Sequence, residues 1–370
     1  MSEWRAKDIE HMRHALGLAA LGINTTDPNP RVGCVLTRAD IVVGEGWHER
    51  AGGPHAEICA LQAAGSGARG ATAYVTLEPC AGHGRTPPCT EALLAAGVRR
   101  VIYAGADPNP RMQGGAAALK AAGIEVARGL LEDEARELNP GFFSRLQRQR
   151  PWVRLKLGAS LDGRTALANG ASRWITSKQA RADAQLYRAR SSVVLTGIGT
   201  VLADDPALNV RLDGATRQPL RVVLDSSLRA PPGARMFNRE GAALVMVSNE
   251  LADVETRAEP YRKLGVSVES VAPAAGGGLH LPAVLARLAA LEANEVWVEA
   301  GAHLAGAFLA QRLVDELVLY VAPSLLGSGA MPLAELPQLT DLDQRLALRY
   351  HDVARVGDDL RLVLRPAGAS

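Results

Sequence analysis

The sequence predicts two consecutive α/β domains, on three observations. At 370 residues the chain is long for one hydrophobic core, and two domains is the natural division. Short apolar runs alternate with helix-spaced apolar patterns along both halves, as in α/β proteins. A set of metal-ligating residue types, His55, Cys80 and Cys89 with Glu57, is confined to the first half. The boundary falls in the basic stretch before Pro151, giving a first domain at 1–147 and a second at 148–370.

Composition narrows the class. Hydrophobic residues make up 47% and charged residues 22%, as in folded soluble proteins. A net charge of +2 gives no basic excess for non-specific nucleic-acid binding. The polar N-terminus lacks the apolar core of a signal peptide, and no apolar run approaches membrane-spanning length. Four cysteines in so long a chain make no disulfide framework. A cytoplasmic enzyme or binding protein is expected.

In the first domain, the apolar spacing predicts a helix over 7–22, with Asp8 near its start. Asn29-Pro30-Arg31 opens a strand at Val32–Leu36, which pairs as a hairpin with Ile41–Val43. Cys34, in mid-strand, reads as a small core residue. A helix begins near His55 and runs to about Ala64. The strand Thr72–Leu77 ends at Glu78-Pro79-Cys80, and Cys89, after Pro87-Pro88, begins a helix through Ala96. A strand at Arg99–Ala104, the loop Asp107-Pro108-Asn109-Pro110, a helix at 115–122 and a strand at 124–127 continue the alternation. One helix from Glu132 to about Arg148 closes the domain.

The second domain opens with the strand Trp152–Leu157. Further strands are expected at 192–196, 220–224, 243–247, 295–299 and 316–321, with helices at 177–190, 281–291 and 303–312. A surface loop is expected at Ala272–Gly278, and a final antiparallel pair, 346–354 and 359–365, turns at Gly357-Asp358.

The chemistry sits in Pro54-His55-Ala56-Glu57, Pro79-Cys80 and Cys89. One imidazole and two thiolates leave the fourth tetrahedral position of a zinc ion open to water. Both Cys89 and His55 fall at helix N-termini, where exposed amides favour thiolate over thiol. Glu57, two residues after the histidine, can move protons on and off that water. This is the signature of zinc-hydroxide deamination at an amino-bearing ring carbon. Eight residues separate Cys80 from Cys89, a longer gap than the usual Pro-Cys-x-x-Cys. A closed structural Cys2His2 site using His83 competes with the catalytic reading, but such a site has no need of Glu57.

The segment Glu78-Pro79-Cys80-Ala81-Gly82-His83-Gly84-Arg85-Thr86-Pro87-Pro88-Cys89 resembles the long-spaced zinc motif of the bifunctional riboflavin-biosynthesis deaminase/reductase family. Asn29-Pro30-Arg31-Val32-Gly33, His48 and Asp107-Pro108-Asn109 do so as well, and Leu155-Lys156-Leu157-Gly158-Ala159-Ser160-Leu161-Asp162-Gly163-Arg164 resembles that family's reductase opening. The resemblance spans both halves. It implies a cytidine-deaminase-like three-layer α/β/α domain followed by a dihydrofolate-reductase-like α/β domain. It implies one zinc ion in the deaminase domain, and NADPH in the second. The substrate would be 2,5-diamino-6-ribosylamino-4(3H)-pyrimidinone 5′-phosphate, deaminated first and then reduced from ribosyl to ribityl.

By the same resemblance Asn29, His48, Asp107 and Asn109 line the deaminase pocket, and His83 and Arg85 belong to a loop over the substrate. NADPH is assigned to Gly158, Trp174, Thr200, Asp204, Ser226 and the turn and helix start Gly301, Ala302, His303, Leu304, Ala305, Gly306 and Ala307. The reductase substrate is assigned to Ser172, Arg188, Leu208, Arg211 and Glu299. The residue types agree. The two asparagines offer amide groups to a heterocycle edge, and His48 or Arg85 could meet a phosphate. Arg188 and Arg211 could clamp the second substrate's phosphate. Glu299-Ala300-Gly301-Ala302-His303 opens a helix suited to an anion. Thr196-Gly197-Ile198-Gly199-Thr200 lacks the third glycine of a dinucleotide fingerprint and by itself reads as a plain tight turn. Either Asp162 or Lys156 would supply the reductive proton. Small pyrimidine ribosyl phosphates are the expected partners, with no nucleic acid or membrane, and a homo-oligomer, dimer or tetramer, is expected. The rival reading is a nucleic-acid base deaminase with an accessory C-terminal binding domain; near-neutral charge and 4% aromatic residues oppose it.

Overall fold

Asp8, His11, Met12, Ala15, Leu18 and Ala19 fall on one face of α1 (Ala6–Leu21) and are buried, as the helical period requires. The structure, a computed structural model, describes residues 4–83 and 87–368, and the chain divides into two units, Met1–Gln149 and Arg150–Ser370. In the first unit α1 is followed by β1 (Gly33–Arg38), β2 (Ile41–Trp47), α2 (Ala56–Ala64), β3 (Thr72–Leu77), α3 (Cys89–Ala95), β4 (Arg100–Gly105), α4 (Gly115–Ala121), β5 (Glu125–Arg128), α5 (Glu132–Leu138) and α6 (Pro140–Arg148). Among the described residues its sheet runs β2-β1-β3-β4-β5. β1 pairs antiparallel with both β2 and β3, and β3, β4 and β5 are parallel.

Successive strand residues feed two cores. Cys34, Leu36, Ala73, Val75 and Val101 pack with Ala60 of α2, Leu93 of α3 and Leu119 of α4. Val35, Tyr74 and Ile102 pack on the other face with Met12 of α1 and Ala135 of α5. The unit is therefore three layers, α/β/α. The single helix expected from Glu132 to Arg148 is two. It breaks at Asn139, because Pro140 has no N–H to continue the ladder. The Asn139 side chain instead accepts from Arg31 N at 2.8 Å and donates to Arg31 O at 2.9 Å, tying the break to the start of β1.

The second unit comprises β6 (Trp152–Ser160), β7 (Arg164–Ala166), α7 (Lys178–Arg190), β8 (Val193–Gly197), α8 (Ile198–Asp204), β9 (Leu220–Leu224), β10 (Ala243–Ser248), α9 (Val254–Arg262), β11 (Ser267–Val271), α10 (Leu281–Ala290), β12 (Glu295–Glu299), α11 (Ala302–Ala310), β13 (Glu316–Ala322), β14 (Met331–Pro332), β15 (Leu348–Val356) and β16 (Asp359–Pro366). The main sheet runs β11-β10-β9-β8-β12-β6-β13-β16-β15. It is parallel from β11 to β13 and antiparallel through β16 and β15. Val193 and Leu195 face the core under α10 and α11, whereas Val194 faces α7 and α9. Burial on both faces explains the unbroken apolar runs. Across the middle of the sheet, Arg154 of β6 bonds Glu295 of β12 and Glu316 of β13, the latter at 2.6 Å.

Candidate active site

His55 precedes α2 in extended conformation (φ −74°, ψ 161°), Cys80 follows β3, and Cys89 is the first residue of α3. Their donor atoms lie within 4.8 Å of one another, and they form the one such group among the described residues. His55 Nδ1 is 3.2 Å from Cys89 Sγ and 3.6 Å from Cys80 Sγ. Zinc bonds of about 2.0 Å to nitrogen and about 2.3 Å to sulfur, at the tetrahedral angle, separate N and S by about 3.5 Å. The donor set fits zinc. A hydrogen bond with the Cys89 thiol, with His55 behind it, lowers the Cys80 pKa despite burial, and the Cys89 amide donates to its sulfur at 3.3 Å.

Glu57 stands in the first turn of α2 and is 4% exposed. Burial pushes its carboxyl up to about 7. His48 meets His55 edge-on, with ring centroids 5.6 Å apart. Its Nδ1 donates to Pro54 O at 2.9 Å, and its Nε2 lies 3.0 Å from Asn29 Nδ2. Burial lowers its pKa. Both ring nitrogens thus have protein partners, and the Nε2 contact ties His48 to Asn29. Asp107 is buried and pushed up to about 6 by that burial. Its Oδ1 accepts from Asn109 N at 2.8 Å, and Asn109 Oδ1 accepts from Arg111 N at 3.1 Å. His83 is exposed, 3.8 Å from Glu91, and outside the donor group. Arg85 lies outside the described residues.

In the second unit Glu299, Ser226 and Gly301 lie at or just past the C-terminal ends of the parallel strands β12 and β9. Glu299 of β12 is the sheet neighbour of Lys156 on β6. Its carboxylate accepts from Arg188 Nε at 2.5 Å, Arg188 Nη2 at 2.8 Å and Trp297 Nε1 at 2.7 Å. Burial pushes Glu299 up, but the charge and hydrogen bonds of Arg188 prevail and hold it at about 2. Burial lowers Lys156. Arg188 also donates to Asn209 O at 3.0 Å, and Gln185 accepts from Arg211 N at 3.0 Å. Arg188 thus pairs with Glu299 and reaches the loop 207–211, where Leu208 takes φ +52°, and Arg211 of that loop is exposed.

Thr196 at the end of β8 donates to Glu299 O at 2.7 Å. Gly197 faces Leu304: a Cβ there would sit 3.1 Å from Leu304 Cδ2. Gly301 caps α11, whose first turns contain Ala302 to Ala307, and Ala302 has no positive φ. The Thr196–Thr200 stretch is not a loop turn. β8 runs through Gly197 and α8 starts at Ile198, placing Thr200 and Asp204 in that helix. Arg173 donates to Asp204 O at 2.6 Å, and Trp174, exposed, lies under the Arg181 guanidinium at 4.2 Å. Ser226 follows β9 and accepts from Ser248 N at 3.1 Å. Gly158 lies where a Cβ would be 3.2 Å from Thr176 and 3.5 Å from Lys156 Nζ. Ser172 lies on the β7–α7 loop, which also lines a cavity of about 350 Å³ with Leu326, Gly329 and Ala330. Asp162 accepts from Leu326 N and Gly327 N and from the Ser160 hydroxyl, and the hydroxyl bond first, then the amides, holds it at about 2. Sequence reasoning missed Asn209, Gln185 and Arg173, whose partners lie 21 to 31 residues away along the chain, and Arg181, which meets Trp174.

Comparison with known proteins agrees with both halves. The model of the cytidine and deoxycytidylate deaminase zinc-binding region matches residues 5–105, and that of the RibD C-terminal domain matches 151–362. Riboflavin biosynthesis protein RibD of Escherichia coli K12 is 48% identical over 371 residues, covering 97% of this chain and 99% of that protein. The structure of Acinetobacter baumannii RibD has a TM-score of 0.90 at 44% identity, covering 98% of this chain and 99% of its own. The diaminohydroxyphosphoribosylaminopyrimidine deaminase/5-amino-6-(5-phosphoribosylamino)uracil reductase of Thermotoga maritima has a TM-score of 0.85 at 31% identity, with 98% and 99% covered. The chain belongs to the RibD family of riboflavin biosynthesis proteins, in which a zinc-binding deaminase is joined to a reductase.

Proposed function

We propose that the chain deaminates 2,5-diamino-6-ribosylamino-4(3H)-pyrimidinone 5′-phosphate in its first unit and reduces the product's ribosyl chain to ribityl with NADPH in its second. The observation that carries the reading is the His55–Cys80–Cys89 triangle with Glu57 in the same helical turn. His55, Cys80 and Cys89 would hold zinc, whose Lewis acidity makes water nucleophilic near neutral pH. Glu57 takes one proton from the attacking water and passes it to the ring nitrogen, then takes the second from the hydroxyl left on the ring carbon and delivers it to the departing amine, which leaves as ammonia. Asn29, His48 and the Asp107–Asn109 turn would line the substrate pocket.

In the second unit NADPH supplies the hydride. Gly301 to Ala307 at the α11 start, with Gly158, Trp174, Thr200, Asp204 and Ser226, would bind it. Ser172, Arg188, Leu208, Arg211 and Glu299 would hold the substrate, Arg188 also keeping Glu299 and the 207–211 loop in place. Lys156 is the better proton donor. Asp162 is fully ionised at neutral pH, with its oxygens given to two backbone amides. A homo-oligomer, dimer or tetramer, is proposed, supported by the exposed apolar residues Leu348, Tyr350, Val353 and Leu360 on β15 and β16. A cytoplasmic location without nucleic-acid or membrane partners is supported by the net charge of +2 and by the described helices, none long and apolar enough to cross a membrane.

The test follows ammonia and NADPH together, starting from the diaminopyrimidine ribosyl phosphate. A zinc chelator should stop both signals, and added deaminated product should restore NADPH oxidation alone. Ammonia release that survives complete zinc removal would sink the reading.

A further inference from the structure

Glu78 is buried, two residues before Cys80, and has no part in the mechanism above. A buried carboxylate without a function is costly unless its oxygens are satisfied. Among the described residues its partners are backbone amides. Oε1 accepts from Ala116 N at 3.0 Å, at the start of α4, and Oε2 accepts from Asp107 N at a longer 3.4 Å. The Glu78 amide donates to Gly105 O at 2.9 Å. One side chain therefore bridges the strand end that carries Cys80 to both ends of the 107–116 segment.

The two segments approach as backbones. Ala81 N donates to Met112 O at 3.0 Å. A Cβ on Gly115 would lie 1.7 Å from Pro79 O, and one on Gly82 would lie 1.9 Å from Arg111 O. Both positions need glycine for this close approach. Within the 107–116 segment, Asp107 accepts from Asn109 N, and Gln113 donates to Asp107 O at 3.0 Å, so the turn is rigid in itself. What places it relative to the metal ligand is the seam with residues 78–82, and Glu78 is the side chain that hydrogen-bonds to both ends of the segment across it.

We infer that Glu78 is a positioning residue of the deaminase cleft, its carboxylate fixing the Asp107–Asn109 turn relative to Cys80. The inference rests on the proposed pyrimidine-binding role of that turn. Because the turn binds substrate and does not carry the reacting water, loosening it should appear in KM before kcat.

Glu78→Gln keeps the shape but turns an NH2 toward one of the two amide donors. Ala116→Pro removes the Ala116 N–H from the other side, in a first helical turn that tolerates proline. Both variants should raise KM for deamination on the order of tenfold, the equivalent of one charge-assisted hydrogen bond. Zinc should stay at one per chain, and reduction of the deaminated product should match wild type. Loss of zinc, equal falls in kcat and in kcat/KM, or an unchanged KM would overturn the inference. If Glu78→Gln yields no folded protein, Ala116→Pro decides by the same readings. A wild type that releases no ammonia would fell the functional reading, and this inference with it. A wild type that works, beside variants that work equally well, fells the inference alone.

Discussion

Replacing Glu299 by Gln removes one negative charge while leaving the side-chain shape intact. The carboxylate accepts from Arg188 Nε, Arg188 Nη2 and Trp297 Nε1 at 2.5, 2.8 and 2.7 Å. A carboxamide placed with its NH2 at Oε2 keeps two of these and opposes one guanidinium N–H with another donor. The lost charge-assisted bond costs about 1.5–3 kcal/mol. The Arg188 side chain, 10% exposed, also loses its counter-charge with Lys156 nearby, which brings the total to about 3–5 kcal/mol. For a unit of this size, each kcal/mol moves Tm by about 2–4 °C, so a fall of roughly 6–20 °C is expected. Calorimetry can read it on the transition that NADPH shifts upward, which belongs to the second unit. The pH dependence adds a second check. Glu299 is lowered from 4.5 to about 2 on folding, so its stabilisation is complete above the unfolded value and is lost as pH falls through the folded one. Wild type and variant should therefore differ fully at neutral pH and converge below about pH 4.5. A shift under about 2 °C at neutral pH, or a gap that does not narrow in acid, would refute the account.

Two further outcomes are expected. Glu57→Gln should retain zinc and the reductase activity while ammonia release falls by about 10²–10⁴-fold, measured in single-domain assays on the full chain; undiminished release would remove Glu57 from the mechanism. Asn139→Ala breaks both bonds to the Arg31 backbone and strands a buried amide, so the first unit's transition should lose about 1–3 kcal/mol by denaturant titration without change in NADPH oxidation.

The metal site was legible in the sequence because zinc fixes both residue type and count, and because His55 and Cys89 stand at helix starts that proline and local periodicity mark. The strand order of the second unit was not legible, but its apolar strands were, since burial on both faces leaves unbroken runs such as Ala243–Ser248. β11 was missed because an edge strand reading Ser-Val-Glu-Ser-Val buries little. α9 was missed because Pro260 interrupts a charged pattern. Two contacts among the candidate pocket residues were not legible, for one cause. Arg188 and Glu299 lie 111 residues apart, and His48 and Asn29 meet across a loop. Spacing carries no information on such pairs, so the contacts these residues make with each other could not be read from it.

The position of β6 has a consequence for synthesis. It is the first strand of its unit to leave the ribosome, yet it lies in the middle of the finished sheet between β12 and β13. Its Arg154 finds its carboxylates 141 and 162 residues later in the chain. Until those strands emerge, an apolar strand carrying an unpaired cation waits with both edges open, a state prone to aggregation. The first unit has no such wait, since its strands are all made before Gln149. Nascent chains stopped short of β13 should thus carry a folded deaminase half trailing an unfolded, chaperone-dependent reductase half.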